Sequence, residues 1–218
     1  NKIGPKLLNG LPQPKRLTHD ELDGLSGDLE GTVIDTRERD QFAAGHLPGS
    51  LLSPLNRQFN SIAGSYITEN EKIYLVVEEN ELKQAVTDLI RIGLDNIIGY
   101  VTPMDLNRYA EQGGDLDAID VINFESMDAY QDDPSVEIID VRSQSEHSDF
   151  HFQDSINIAH TRLLDRLDEV PKDKKLLIHC KAGGRAAVAS AFLNHKGYDV
   201  TLVDDNIDSY KRQEQISI

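Results

Sequence analysis

The chain has 218 residues, 39% of them hydrophobic, with seven tyrosines, six phenylalanines and no tryptophan. That length suits one large or two small domains with ordinary cores. Its formal net charge of −16 argues against a nucleic-acid partner, because phosphate binding needs a basic surface. No apolar run reaches the roughly 18 residues that would span a membrane, and a single cysteine rules out an intrachain disulfide or a Cys-x-x-Cys metal site.

The sequence opens Asn-Lys-Ile-Gly without an export signal. It is read as a cut fragment or processed end, and cytoplasmic localisation is expected. Residues 1–18 carry Pro5, Pro12 and Pro14 and read as an extended lead-in or linker. Thr18 with Glu21 fits a capping box, so a short helix is expected to begin there. Residues 32–37 form a strand running into Asp35-Thr36-Arg37, followed by a helix end and a tight loop over 42–50. A second apolar strand covers 73–77. Leu82, Ala85, Val86, Leu89 and Ile90 have helical spacing before Gly93, and Ile97 opens another strand.

The second half repeats this order. Residues 136–142 run again into Asp140-Val141-Arg142, and 150–155 take the place of the His46 loop. Asp35 to Asp140 is a shift of 105 residues, and Gly93 to Gly197 a shift of 104. A repeat of about a hundred residues points to duplicated domains. Strands alternating with helices over short connections predict an α/β fold, each copy a small parallel sheet with helices on both faces. The expected division is 19–113 and 114–218, near Gln112-Gly113-Gly114-Asp115.

Residues 174–187 break the symmetry. Leu176-Leu177-Ile178 reads as a buried strand, then come His179, Cys180 and the loop Lys181-Ala182-Gly183-Gly184-Arg185. Helical spacing follows to a Lys196-Gly197 stop. A cysteine between a strand end and a helix N-terminus, with loop amides and two cations nearby, is a setting that stabilises a thiolate. Against the acidic background, Lys181 and Arg185 would attract an anionic substrate. The first copy has Val76-Val77-Glu78 where the second has Ile178-His179-Cys180. Its segment 78–81 lacks cysteine, glycine and arginine and is expected to be two residues shorter. The first copy is therefore expected to be catalytically silent: a scaffold, a cleft wall or a docking surface. Features common to both copies read as fold, namely Asp140 with Arg142 as a supporting ion pair, and His151 with His46. His179 is read as structural, since adjacent side chains at a strand end point apart.

His-Cys-Lys-Ala-Gly-Gly-Arg resembles the active-site loop of rhodanese-type sulfurtransferases, which runs Cys-x-x-Gly-x-Arg. Four residues lie between Cys180 and Arg185. The related phosphatases and arsenate reductases place five there and cradle a tetrahedral oxyanion, so the spacing favours sulfur over phosphate. The resemblance covers nearly the whole chain and implies two rhodanese-like domains. Gly45-His46-Leu47-Pro48-Gly49-Ser50 is similar to the family's Gly-His-Ile-Pro-Gly-Ala. Phe150-His151-Phe152-Gln153-Asp154-Ser155 departs from it, which leaves room for a different backbone in the second copy. Residues 202–207 stand where the family often has paired glycines.

With its Lys-Ile-Gly-Pro lead-in, the chain also resembles the C-terminal half of bacterial persulfide dioxygenase–rhodanese fusions. There a metallo-β-lactamase-fold domain precedes two such modules. That likeness implies an iron-bearing N-terminal domain outside the given sequence, and no metal or cofactor within it. The expected chemistry is attack by Cys180 on the outer sulfur of thiosulfate or a low-molecular-weight persulfide, then transfer to a thiol, sulfite or cyanide. Lys181, Ala182, Gly183 and Gly184 would form the substrate-binding loop. Arg185 would orient the loop, hold the donor, or serve only as a structural salt bridge. Two other readings are a cysteine phosphatase or arsenate reductase-like enzyme, and a non-catalytic interaction module in which Cys180 only packs.

Overall fold

A computed structural model describes residues 10–25, 31–130 and 132–216. Pro5 and the Lys-Ile-Gly-Pro stretch lie outside the described residues. The chain divides into two compact units, one reaching to residue 38 and including 47–117, the other combining 39–46 with 118 onward.

The first five strands form one sheet: β1 (Lys15–Arg16), β2 (Thr32–Asp35), β3 (Leu51–Leu52), β4 (Ile73–Val76) and β5 (Ile97–Val101). They lie in the order β1-β5-β4-β2-β3, and every pairing is parallel. Parallel neighbours need crossovers, which α2 (Arg39–Ala44), α3 (Phe59–Tyr66) and α4 (Leu82–Arg91) help supply; α1 (His19–Leu25) and α5 (Pro103–Glu111) flank the set. Half of the capping box expected before α1 is seen: the Thr18 amide donates to Glu21 Oε2 at 2.9 Å, and the Thr18 hydroxyl donates to the same oxygen at 3.1 Å. Lys15 and Arg16, read from the sequence as lead-in, are the edge strand of this sheet, in register with Gly99 and Tyr100. Two exposed residues are too short for an alternating pattern; β5 recruits them through its free backbone edge.

The second sheet holds β6 (Asp120–Ile122), β7 (Val136–Asp140), β8 (Ile156–Asn157), β9 (Lys175–His179) and β10 (Val200–Val203), with α6 (Phe124–Met127), α7 (Gln144–Asp149), α8 (Gly184–His195) and α9 (Ile207–Ile216). Its order, β6-β10-β9-β7-β8, is again all parallel. Advancing every label of the first sheet by five reproduces the second. The expected duplication into two small parallel α/β sheets is what the chain forms.

The copies agree to the level of single bonds. Arg142 donates from its amide and Nε to Asp140 Oδ1 at 3.0 and 2.9 Å, and from Nη2 to Oδ2 at 2.6 Å. Arg37 makes the same three bonds to Asp35 at 3.0, 3.0 and 2.6 Å. Both pairs are buried. Removing one partner from such a pair leaves an uncompensated charge and costs about 3–5 kcal/mol. The pairs are fold, as the duplication indicates.

Two expectations are corrected. The loop of the second copy that departs from the Gly-His-Leu-Pro-Gly-Ser pattern keeps the same backbone. Ser155 N–H donates to Phe152 O at 3.1 Å, as Ser50 does to Leu47 O at 3.0 Å. Asp154, at φ 59°, holds the left-handed conformation that Gly49 holds at 74°. Aspartate is among the few residues that tolerate that region, so loss of the glycine did not change the turn. The second correction concerns register. Asp35 pairs with Val76 and Asp140 with His179, so Cys180 is matched by Val77, not Glu78. Strand register therefore shifts by 103 and the helix-stop glycines by 104, which makes the first copy's loop one residue shorter, not two.

Because Asp154 is strained where glycine is not, Asp154→Gly is expected to leave the fold intact and stabilise it by up to about 1 kcal/mol. Extra chain entropy in the unfolded state offsets part of the gain. Urea denaturation of the two proteins measures it.

Candidate active site

β9 is the central strand of its sheet, flanked by β10 and β7. Ligands of parallel α/β sheets bind beyond the carboxyl ends of such strands. Its buried run of Leu176, Leu177, Ile178 and His179 delivers Cys180 at that end. Cys180 is 2% exposed, while Lys181, Ala182 and Gly184 are exposed around it.

From Cys180 the chain must turn into α8 within a few residues. Gly183, at φ 79°, makes this turn, and its amide neighbourhood is closed: a Cβ there would come within 1.8 Å of Asp204 Oδ1. Only glycine fits both the dihedral angle and the space. Gly184 N–H donates to Ala182 O at 3.0 Å, and Ile207 N–H to Lys181 O at 3.0 Å, tying the loop to α9. Helix α8 then runs twelve residues with Ala186 through Leu193 buried, its positive end facing the loop.

The two cations expected to attract an anion are both engaged with carboxylates. Lys181 Nζ lies 3.1 Å from Asp208 Oδ2, with both side chains about half exposed, a pair worth at most about 1 kcal/mol. Arg185 makes a stronger contact: Nη1 and Nη2 donate to Glu146 Oε2 and Oε1, each at 2.7 Å. These bonds lower the Glu146 carboxyl to about 2 and raise the Arg185 guanidinium. Glu146 is itself held by the start of α7. Ser143 Oγ–H donates to Glu146 Oε2 at 2.8 Å, and Glu146 N–H returns a bond to Ser143 Oγ at 3.3 Å. Reading the sequence for motifs overlooks Glu146. The signal was present as a capping box, Ser143-x-x-Glu146; nothing local links it to an arginine 39 residues away.

Asp140 and Arg142 sit beside the loop's root, since Asp140 pairs in register with His179 and Val141 N–H donates to His179 O at 3.0 Å. Arg142 Nη2 also donates to Phe150 O at 2.6 Å. His179 is fully buried, edge-on to Phe124 and Phe152 at ring separations of 5.7 and 5.1 Å. Its Nε2 is 3.9 Å from Asp140 Oδ2, too far for a hydrogen bond. Both phenylalanines belong to the second core, with Ile138, Leu177 and Val203. His160 lies where Arg185's charge adds to burial in lowering its affinity for a proton. His151 and His46 make the same Nδ1 contact to the carbonyl four residues back, at 3.0 and 2.9 Å, though His46 is buried and His151 exposed. Among the described residues no group of three or more His, Cys, Asp or Glu side chains could hold a metal ion, and no helix is long and apolar enough to cross a membrane.

A family model described as the rhodanese-like domain matches twice, over 18–102 and 123–213. A tRNA uridine(34) hydroxylase of Erwinia tasmaniensis is 32% identical over 108 residues, covering 45% of this chain and 31% of that protein. The chain thus spans under a third of the length of that curated relative. Among solved structures, a rhodanese-related protein from Thermoplasma volcanium is 29% identical, covering 43% of this chain and 92% of its own, with a TM-score of 0.39. A thiosulfate sulfurtransferase from Pseudomonas aeruginosa is 15% identical, covering 90% of this chain and 44% of its own, with a TM-score of 0.40.

Burial depresses His179 from 6.5 to about 4, against a smaller upward pull from Asp140. An unfolded histidine binds its proton near 6.5, so between 6.5 and 4 the unfolded chain carries more protons. Stability is therefore expected to fall as pH drops through that window. His179→Gln, which cannot titrate, is expected to flatten the slope, as read from urea midpoints at pH 7 and pH 5.

Proposed function

The chain belongs to the rhodanese-like family, and on that premise we propose that it is a sulfurtransferase. It would move sulfane sulfur from thiosulfate or a low-molecular-weight persulfide to a thiol, sulfite or cyanide through a persulfide on Cys180. The observation that carries this is the contrast at one position of a duplicated fold. In the second copy the central strand ends in Cys180, a glycine turn and Arg185; in the first it ends in Val77, which is fully buried.

With thiosulfate, the Cys180 thiolate attacks the outer sulfur with its lone pair and forms a new S–S bond. The bond between the two sulfurs of thiosulfate breaks, and sulfite leaves with the electron pair. The acceptor then attacks the terminal sulfur of the persulfide. That S–S bond breaks, and Cys180 recovers its electron pair as thiolate while thiocyanate, thiosulfate or an acceptor persulfide departs. No external oxidant is needed. With one cysteine in the chain, the acceptor comes from outside it. Loop amides from 181–185 would surround the terminal sulfur. Lys181 would guide the donor only weakly, its charge being shared with Asp208.

The likeness to persulfide dioxygenase–rhodanese fusions extends this reading: an iron-bearing metallo-β-lactamase-fold domain would draw on the same persulfide pool. The match to the tRNA hydroxylase covers under a third of that protein, and a net charge of −16 opposes binding of a polyanion such as tRNA.

The test is thiocyanate formation from thiosulfate and cyanide, repeated with glutathione persulfide as donor. Turnover by the wild type and background rates for Cys180→Ser are expected. Turnover retained by Cys180→Ser, or hydrolysis of an aryl phosphate without sulfur transfer, would overturn the proposal.

A further inference from the structure

We infer that Glu146 is the positioning residue of the sulfur-transfer site, holding Arg185 in place at the end of the Cys180 loop; the inference rests on the sulfurtransferase reading. Three independent observations meet at this carboxylate. Its two oxygens receive two N–H groups of Arg185 at 2.7 Å each, the forked geometry that fixes a guanidinium in plane and direction. It is itself immobilised as the N3 residue of the α7 capping box. And α7 starts directly after Arg142, whose buried pair with Asp140 is locked to the strand pairing beside His179.

The result is a closed circuit. The end of β7 fixes Arg142, the next turn fixes Ser143 and Glu146, Glu146 fixes Arg185, and Arg185 stands in the first turn of α8, at the far end of the loop that Cys180 opens. Strand pairing between β7 and β9 closes the ring. A flexible arginine on a helix start would otherwise sample many rotamers, each costing order when it must align with a reacting sulfur.

The duplication supplies a control. Under the shift of 105 that superposes the two Asp-x-Arg motifs, Glu146 corresponds to Gln41. The first copy keeps the Asp35–Arg37 pair bond for bond. It lacks the loop arginine and also lacks the carboxylate. Glu146 therefore varies with the site and not with the fold, as a residue serving Arg185 should.

Glutamine fits a capping box as glutamate does, so Glu146→Gln preserves the start of α7 while removing the charged fork. It also leaves Arg185 with an unpaired positive charge. The expected outcome is a kcat for sulfur transfer lower by about 10- to 100-fold and a KM for anionic thiosulfate that does not rise, in a protein that still folds, with its urea midpoint at pH 7 lowered by the loss of the ion pair. Arg185→Lys keeps the charge but cannot make the fork, and is expected to lose kcat to a similar degree. In an Arg185→Ala background, adding Glu146→Gln is expected to cost nothing further, because both act through one contact.

Wild-type turnover in Glu146→Gln or in Arg185→Lys would overturn the inference. So would a raised KM at constant kcat, or a full additional loss in the Arg185→Ala background. Wild-type protein that transfers no sulfur would instead sink the sulfurtransferase reading, and this inference with it. The first set of failures leaves that reading standing.

Discussion

The constraint on which the second copy depends is the backbone turn between β9 and α8. A central parallel strand has to become a buried helix in four residues, and Gly183 in a left-handed conformation is what permits it. A Cβ there would come within 1.8 Å of Asp204 Oδ1, so that carboxylate would have to move. The turn fixes where Cys180 lies, aims the positive end of α8 at it, and brings Arg185 into the helix's first turn. The glycines that read in the sequence as part of an anion nest are thus first a steric requirement. The proposed chemistry would be built on a turn that requires glycine.

Comparison of the two copies separates architecture from chemistry more sharply than either would alone. Both retain the strand order, the buried Asp–Arg pair and the left-handed turn after the second helix. Only the second has the cysteine, the glycine turn, the arginine and the glutamate. Val77 in the cysteine's place is buried aliphatic packing, the simplest filling for a strand end without a nucleophile. The supporting pair at Asp140 and Arg142 is accordingly a platform whose loss would cost fold before function.

Much of this was legible in the sequence because period and punctuation coincide. Apolar runs ending in Asp-x-Arg, helices stopped by Gly93 and Gly197, and the shift near 105 gave the duplicated α/β layout. The cysteine loop announced itself by composition. What escaped was non-local. The one-residue difference in loop length depended on strand register, which only pairing with β2 and β7 defines. The turn at Asp154 looked lost because its glycine had gone, although aspartate can hold the same dihedral angles. A structural salt bridge is among the readings the sequence allows for Arg185, but its partner Glu146, like the partner Asp208 of Lys181, lies too far along the chain to be named, 39 and 27 residues away. A motif shows which groups are present, not which charges are already answered.

The claim at the centre of this account is that Cys180 carries sulfur. Intact mass after incubation with thiosulfate, then with cyanide, tests it most directly. The account requires a gain of one sulfur atom on the wild type, its removal by cyanide, and no gain on Cys180→Ser. An unchanged mass on a protein whose Cys180 still alkylates would contradict it and leave the loop as a packing feature of a binding module.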